Sequence, residues 1–157
     1  MDSVARARGF TLIEILVVLV VIGITVALIT PNLSPAPERA LREEIERVSA
    51  LVAAAHDEAI TRNETLAWSV EDGQLRFWQR AVQTREWQAV ADPAFRPRPL
   101  DASLTGLRIG NARAEPQSKI VLAPDGVQPA YEARFERAGL DASLAADVLG
   151  QLRITTP

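Results

Sequence analysis

The chain has 157 residues, a formal charge of −3 and 48% apolar residues. This length favours a single domain with an extension, and the acidic balance is unlike that of a general nucleic-acid binder, which needs a basic face. The absence of cysteine excludes disulfides and cysteine-based chemistry, and the single His excludes a His-rich metal site or a paired-His mechanism.

The N-terminal segment is apolar from Phe10 to Ile29, and Glu14 is its only charged residue. A helix of this length spans about 30 Å, roughly the hydrocarbon thickness of a bilayer. Arg6 and Arg8 precede the apolar run, so the positive-inside rule keeps the N-terminus in the cytoplasm. The sequence therefore predicts a single membrane pass, with the rest of the chain on the far side.

A cleaved secretory signal peptide and a plain membrane anchor are two general explanations of this segment. The first requires a small-x-small cleavage site, and the end of the apolar run, before Pro31, has none. The second leaves Glu14 unexplained, since a carboxylate at mid-bilayer costs roughly 2.5–3.5 kcal/mol on insertion scales. Glu14 therefore points to a function and to a cationic partner.

The motif Gly9-Phe10-Thr11-Leu12-Ile13-Glu14 resembles the processing motif of type IV pilins and type II secretion pseudopilins. The resemblance implies that a prepilin peptidase cuts after Gly9 and methylates the new amino terminus at Phe10. It also implies that Glu14 pairs with the terminal amine of a neighbouring subunit, and opposite charges attract strongly in a low dielectric. Pro31 occupies the place of a proline that kinks the helix in this family.

Prolines at 31, 35 and 37 predict a kink or a short break, because proline removes a helical hydrogen bond and clashes with the preceding turn. Helix is expected to resume near Glu38 and to end near Asn63, a residue that tolerates a left-handed cap. Apolar residues recur along it in steps of four and three and predict a buried face: Leu41, Ile45, Val48, Val52, Ala55 and Ala59. The predicted domains are a leader peptide (1–9), a transmembrane helix (10–30), a kinked continuation with the amphipathic helix (31–63) and a periplasmic β-rich domain (64–157).

The remaining chain predicts a small antiparallel β domain. Strands are expected at 65–71, 74–79, 86–90, 107–109, 119–122, 130–137 and 151–155, with turns at 72–73 and 124–126. The proline-rich stretch 91–100 predicts an extended loop, and poor order is expected from 91 to 116. The fold class is thus α+β and pilin-like, with a long N-terminal helix, transmembrane in its first half and amphipathic in its second, packed on the β domain.

Few residues in the sequence are candidates for catalysis or ligand binding. The sequence has no phosphate loop, nucleophile elbow or metalloprotease motif. His56 is interpreted as a solvated or edge residue, the charge run 43–46 as a solvent-facing helix surface, and Asp125 and Asp141 as turn residues. The aromatic residues are interpreted as core or sheet-face packing rather than a ligand platform: Trp68, Trp78, Trp87 and Tyr131. The sequence predicts no catalytic residue, no cofactor, no metal site and no enzyme.

Beyond the N-terminus, the chain resembles the H-type minor pseudopilins of type II secretion. The matching pieces are the helix end 57–63, the strand around Trp87, the turn 124–126 and the terminal stretch 150–154. The resemblance implies an inner-membrane subunit near the tip of a periplasmic fibre that supports export of folded proteins across the outer membrane. Its implied partners are the prepilin peptidase, other major and minor pseudopilins, the inner-membrane assembly platform and, before assembly, membrane lipid.

Two alternatives stay open on the sequence. The first is a minor pilin of a type IV pilus, acting in motility, adhesion or DNA uptake, of which DNA uptake favours an exposed basic cluster. The candidate clusters are Arg96 with Arg98, and Arg76 with Arg80 and Arg85. Acidic neighbours dilute both clusters, so no nucleic-acid partner is expected. The second alternative is an anchored binding module unconnected to a fibre, which requires the motif at 9–14 to be coincidental.

Overall fold

A computed structural model describes residues 12–29 and 36–156, and the chain divides at Pro35 and Ala36 into two compact units. The first unit contains helix α1 (Leu12–Ile29), with Glu14 in its first turn. Side chains from Leu12 to Thr25 are exposed along α1, although nearly all of them are apolar. Within residues 12–29 and 36–156, no helix is both long enough and apolar enough to cross a membrane.

Helix α2 (Pro37–Arg62) opens the second unit. Pro37 suits a first helical turn, where its missing N–H has no partner to lose, and Glu38 complements the positive end of the helix dipole. The helix ends at Asn63, whose φ of 54° is left-handed and whose N–H bonds carbonyls of the last turn. The helix predicted from near Glu38 to Asn63 is confirmed.

Two antiparallel sheets follow α2. The strands are β1 (Leu66–Glu71), β2 (Gln74–Arg80), β3 (Trp87–Ala89), β4 (Arg98–Pro99), β5 (Ser103–Ile109), β6 (Ala112–Ala114), β7 (Ile120–Leu122), β8 (Tyr131–Arg137), β9 (Leu140–Ala146) and β10 (Leu152–Thr155). Sheet A has the order β3-β2-β1-β7 with β4 paired to β2, and sheet B has the order β10-β9-β8-β5-β6. The predicted small β domain is therefore a pair of five-stranded sheets.

The core lies where α2 packs on both sheets, against β1 and β7 of sheet A and β9 and β10 of sheet B. The whole predicted apolar stripe is buried there: Leu41, Ile45, Val48, Val52, Ala55 and Ala59. It meets Trp68, Phe135 and Leu144 in one cluster. Since a buried large apolar side chain contributes about 1.5–3 kcal/mol, this cluster is the main source of stability. The α+β class is confirmed.

The strand predicted at 107–109 is part of β5, but the poor order expected over the rest of 91–116 was wrong. The segment contains a 3-10 turn (Pro93–Phe95) and strands β4, β5 and β6 instead of a poorly ordered loop. Phe95 is buried against Phe77, with ring centroids 5.2 Å apart, and this contact anchors the proline-rich stretch. Strand β9 lies in a region with no predicted strand, and Asp141, assigned to a turn, belongs to β9.

Candidate functional site

The predicted processing and assembly residues cluster at the start of the chain. Glu14 lies exposed in the first turn of α1, where a carboxylate is favoured by the helix dipole. Gly9, Phe10 and Pro31 lie outside the described residues. The cleavage, methylation, pairing and kink predicted for these four residues stay predictions.

A buried carboxylate on α2 forms the most connected polar site of the second unit. Glu44 is only 5% exposed, so its interpretation as part of a solvent-facing charge run is wrong. Its Oε1 accepts hydrogen bonds from the backbone N–H of Asp101 (2.6 Å) and Ala102 (3.4 Å), and its Oε2 lies 3.2 Å from Arg137 Nη1. Arg137 Nη2 also pairs with Asp101 Oδ2 at 3.0 Å. We call this network the α2 pin.

The α2 pin joins three parts of the second unit. Glu44 belongs to α2, Arg137 to β8, and Asp101 with Ala102 to the link between sheet A and sheet B. A carboxylate away from water is tolerated only when it is paired and hydrogen-bonded, as this one is. The arrangement therefore fixes the link between the sheets against the helix.

A second polar network lies on sheet A. Trp78 Nε1 donates to Ser69 Oγ (2.7 Å), Ser69 Oγ donates to Glu71 Oε1 (2.8 Å), and Lys119 Nζ lies 3.2 Å from the same carboxylate oxygen. Burial raises the pKa of Glu71, but the hydrogen bonds from Ser69 and Lys119 outweigh it and hold the pKa below its ordinary value. Lys119 Nζ also lies 4.2 Å from the centre of the Trp78 ring. Each of these four side chains contacts or hydrogen-bonds another member of the network, which indicates a structural role.

The other aromatic residues also pack as predicted. Trp68 and Tyr131 lie in the core, with ring centroids 5.5 Å apart at an angle of 68°. Burial raises the pKa of the Tyr131 hydroxyl above its ordinary value. Trp87 is half-buried on sheet A, and Arg80 Cζ lies 5.6 Å from its ring centre. The interpretation of these residues as core or sheet-face packing is confirmed.

His56 is half-buried on α2 and packs on the backbone of Gly150. A Cβ built at Gly150 would lie 2.5 Å from His56 Cε1, so the ring leaves no room for a side chain there. His56 Nε2 is buried and has no hydrogen-bond partner among the described residues. Within those residues no group of three or more His, Asp or Glu side chains is arranged to hold a metal ion. His56 therefore acts as a packing residue at the edge of the core.

A groove of about 270 Å³ runs between α2 and the stretch 96–100. It brings Arg96 and Arg98, one of the two basic clusters noted in the sequence, next to Arg47 of α2. Glu44, Pro97 and Pro99 complete its surface, and four aliphatic side chains line it as well: Val48, Leu51, Leu75 and Leu100. We call this the arginine groove. In the other basic cluster, Arg76 lies 4.0 Å from Asp72.

Two family models match the chain. The model described as the prokaryotic N-terminal methylation motif matches residues 4–30, and the model described as type II transport protein GspH matches residues 44–151.

The chain is 30% identical over 86 residues to type II secretion system protein H of Aeromonas hydrophila, and the matched stretch covers 54% of this chain and 47% of that protein. It is 50% identical over 48 residues to type II secretion system core protein G of Klebsiella pneumoniae, covering 31% of this chain and 33% of that protein. The chain thus matches about half the length of these curated relatives or less.

Two solved structures share the architecture, both described as the minor pseudopilin EpsH from the type 2 secretion system of Vibrio cholerae. One superposes with a TM-score of 0.64 at 16% identity, covering 78% of this chain and 97% of that chain. The other has a TM-score of 0.58 at 17% identity, covering 71% and 93%. At these identities the likeness concerns the fold, and it confirms the pilin-like part of the predicted fold class.

Proposed function

Since the chain belongs to the type II transport protein GspH family, we propose that it is a minor pseudopilin subunit of a type II secretion system. The observation that carries the proposal is the presence in one chain of the methylation motif at 4–30 and the GspH domain at 44–151. The protein H relative and the EpsH structures, which are named for the same secretion system, support it. The proposed subunit lies near the tip of the fibre and supports export of folded proteins across the outer membrane.

The proposed assembly begins at the N-terminus. A prepilin peptidase cuts after Gly9 and methylates Phe10, and the mature helix stays in the inner membrane as a single pass until the assembly platform extracts it. Glu14 then pairs with the amine of a neighbouring pseudopilin, which lowers the cost of leaving lipid. The exposed apolar side chains of α1 support this step, because such a surface needs lipid or other helices to cover it.

The proposed topology follows the family, which is anchored in the membrane and faces the periplasm. The leader 1–9 stays in the cytoplasm, the segment 10–30 spans the inner membrane, the continuation 31–63 is kinked at Pro31, and the domain 64–157 lies in the periplasm. The partners are the other pseudopilins of the fibre. The role is structural, so it requires no catalytic residue, cofactor, metal or nucleic acid.

The minor pilin of a type IV pilus shares the N-terminal motif. The relatives that match beyond residue 30 favour the secretion system, because they are named for it. The same relatives also weigh against an anchored module unconnected to a fibre.

Deletion of the gene, scored for exoprotein secretion and for pilus-dependent motility or transformation, tests the proposal. We expect secretion to be lost and the pili to stay intact.

Complementation of the deletion strain with variants of the gene separates the role of Glu14 from the presence of the subunit. The Glu14→Ala variant should fail to restore secretion. Thr25→Ala, which removes a hydroxyl that bonds the Val21 carbonyl in the same helix, should restore it. Loss of motility with intact secretion overturns the proposal, and normal incorporation of Glu14→Ala overturns the pairing.

A further inference from the structure

The arginine groove brings together three positively charged side chains, those of Arg47, Arg96 and Arg98. In the described part of the chain, no salt bridge joins Arg47, Arg96 or Arg98 to a carboxylate. Glu44 lines the groove, but Arg137 and two backbone N–H groups already engage its oxygens. The groove is therefore locally cationic in a chain whose formal charge is −3.

The inner surface of the groove is aliphatic. Val48 and Leu75 are buried and close its floor, while Leu51 and Leu100 are half-buried and line its sides. A volume of about 270 Å³ accommodates one or two side chains rather than a large cofactor. Such a surface favours a ligand that places an aliphatic group in the groove and anionic groups at its rim.

The wall of the groove is held in place before any ligand binds. Asp92 caps the 3-10 turn by accepting from Ala94 N–H at 2.9 Å, and Arg98 Nη2 donates to Ala94 O at 3.4 Å. Strand β4 pairs with β2, where Arg98 faces Leu75 in register. A wall that is already ordered loses little conformational entropy on binding.

The flanking prolines determine how the wall can be recognised. Pro97 and Pro99 stand on either side of Arg98 and have no N–H. A ligand strand therefore cannot pair along this edge through a continuous backbone ladder, and proline is one of the devices that block such pairing. Recognition must depend on the side chains, and the guanidinium fork of arginine matches a carboxylate with two parallel hydrogen bonds.

We propose that the arginine groove binds a segment of a partner protein in which aliphatic and acidic residues alternate. An aliphatic side chain sits between Leu51 and Leu100, and the flanking carboxylates pair with Arg47, Arg96 and Arg98. A nucleic acid fits less well, because it has no aliphatic group for the floor and requires a longer basic track. This site goes beyond membership of a fibre and does not depend on it.

Titration of the full chain in detergent micelles with fluorescent peptides tests the proposal. The probe is a short peptide of alternating glutamate and leucine. Two matched peptides replace every glutamate by lysine or every leucine by serine. We expect binding of the first peptide, weakened by salt, and no saturable binding of the other two. Equal binding of the serine peptide overturns the role of the aliphatic floor.

Paired variants locate the site. Arg47→Glu with Arg96→Glu changes two exposed groove residues and should weaken binding by about tenfold or more, since rim charges set encounter and specificity. The control, Arg113→Glu with Arg153→Glu, makes the same charge change at exposed positions on sheet B and should leave the affinity unchanged. If circular dichroism shows that both double variants are folded and both lose affinity equally, the assignment of the site is wrong. Binding of anionic lipid vesicles or of an oligonucleotide with equal affinity and the same arginine dependence overturns the assignment to a protein segment.

Discussion

Gly150 is a position where the backbone and a distant side chain together leave no room for substitution. Its φ is +77°, and a Cβ there would lie 2.5 Å from Cε1 and 2.8 Å from Nδ1 of His56. We expect Gly150→Ala to lower the free energy of unfolding by about 2–4 kcal/mol, because backbone strain and steric overlap add. Urea denaturation followed by tryptophan fluorescence measures this loss.

Gly139 provides the matched control for that substitution. Its φ of +78° is nearly the same, but a Cβ there meets nothing within 4 Å. Gly139→Ala should therefore cost only the backbone strain, on the order of 1 kcal/mol. Removing the ring by His56→Ala should reduce the cost of Gly150→Ala to a similar value. Equal losses for the two glycines in the presence of His56 would show that the ring contact has no energetic weight.

The lowered pKa of Glu71 predicts that the free energy of unfolding depends on pH. Burial raises the pKa of this carboxyl, but hydrogen bonds from Ser69 and Lys119 and the charges of Lys119 and Arg76 hold the pKa below its ordinary value of 4.5. A depressed pKa in the folded state stabilises the fold above the unfolded pKa, and that stabilisation disappears as the pH falls through the folded pKa.

The substitution Glu71→Gln tests this linkage. The variant should be less stable than the native chain at neutral pH, and the difference in free energy of unfolding should shrink as the pH falls below 4.5. Denaturation curves collected across this range measure the difference. A difference that stays constant from neutral to acidic pH is incompatible with a lowered pKa in the folded state.

At the scale of elements, the α2 pin holds the helix to the link between the sheets. Glu44→Ala leaves Arg137 and two backbone N–H groups without their partner, so we expect a loss of about 2–4 kcal/mol in the free energy of unfolding. Glu43→Ala, at the exposed neighbouring position, should change stability by less than about 0.5 kcal/mol. Guanidinium denaturation compares the two variants, and similar small effects in both would mean that the pin does not stabilise the domain.

Some elements were predictable because their signal is local. The stripe from Leu41 to Ala59 repeats with helical spacing over many turns, and Asn63 marks the end of α2, so the sequence indicates both. Strand β9 escapes prediction because Ala142 and Ala146 bury little apolar surface and give weak alternation. Apart from the predicted strand at 107–109, the order of the segment 91–116 escapes prediction because it comes from tertiary contacts such as that of Phe95 with Phe77.

The polar sites also divide into those with a local sequence signal and those without one. Glu44 sits in a run of charges that normally faces solvent, and its partners Asp101 and Arg137 lie 57 and 93 residues along the chain. No local pattern connects residues so far apart. The N-terminal motif is the opposite case, because its residues are contiguous and can be recognised without a fold. Arg96 and Arg98 were visible as a pair, but their proximity to Arg47 and to aliphatic side chains was not.

At the scale of the whole molecule, the core formed by the described residues lies in the second unit. All of its buried and partly buried members lie between Leu41 and Ile154. We therefore expect a chain that begins at Ala36 to fold cooperatively, with a thermal midpoint within about 4 °C of that of the full chain in detergent. Tryptophan fluorescence, to which the fully buried Trp68 contributes, reports the transition. A non-cooperative transition or a large fall in the midpoint would show that the first unit contributes to the stability of the second.

The sequence separation within the α2 pin also bears on how long the folded domain persists. Closing a loop of 93 residues to join Glu44 to Arg137 carries an entropic cost, so contacts of this kind form after local ones during folding. An interaction absent from the transition state slows escape from the native state and hardly affects its formation. We therefore expect loss of the pin by Glu44→Ala to raise the rate constant of unfolding more than it lowers the rate constant of folding.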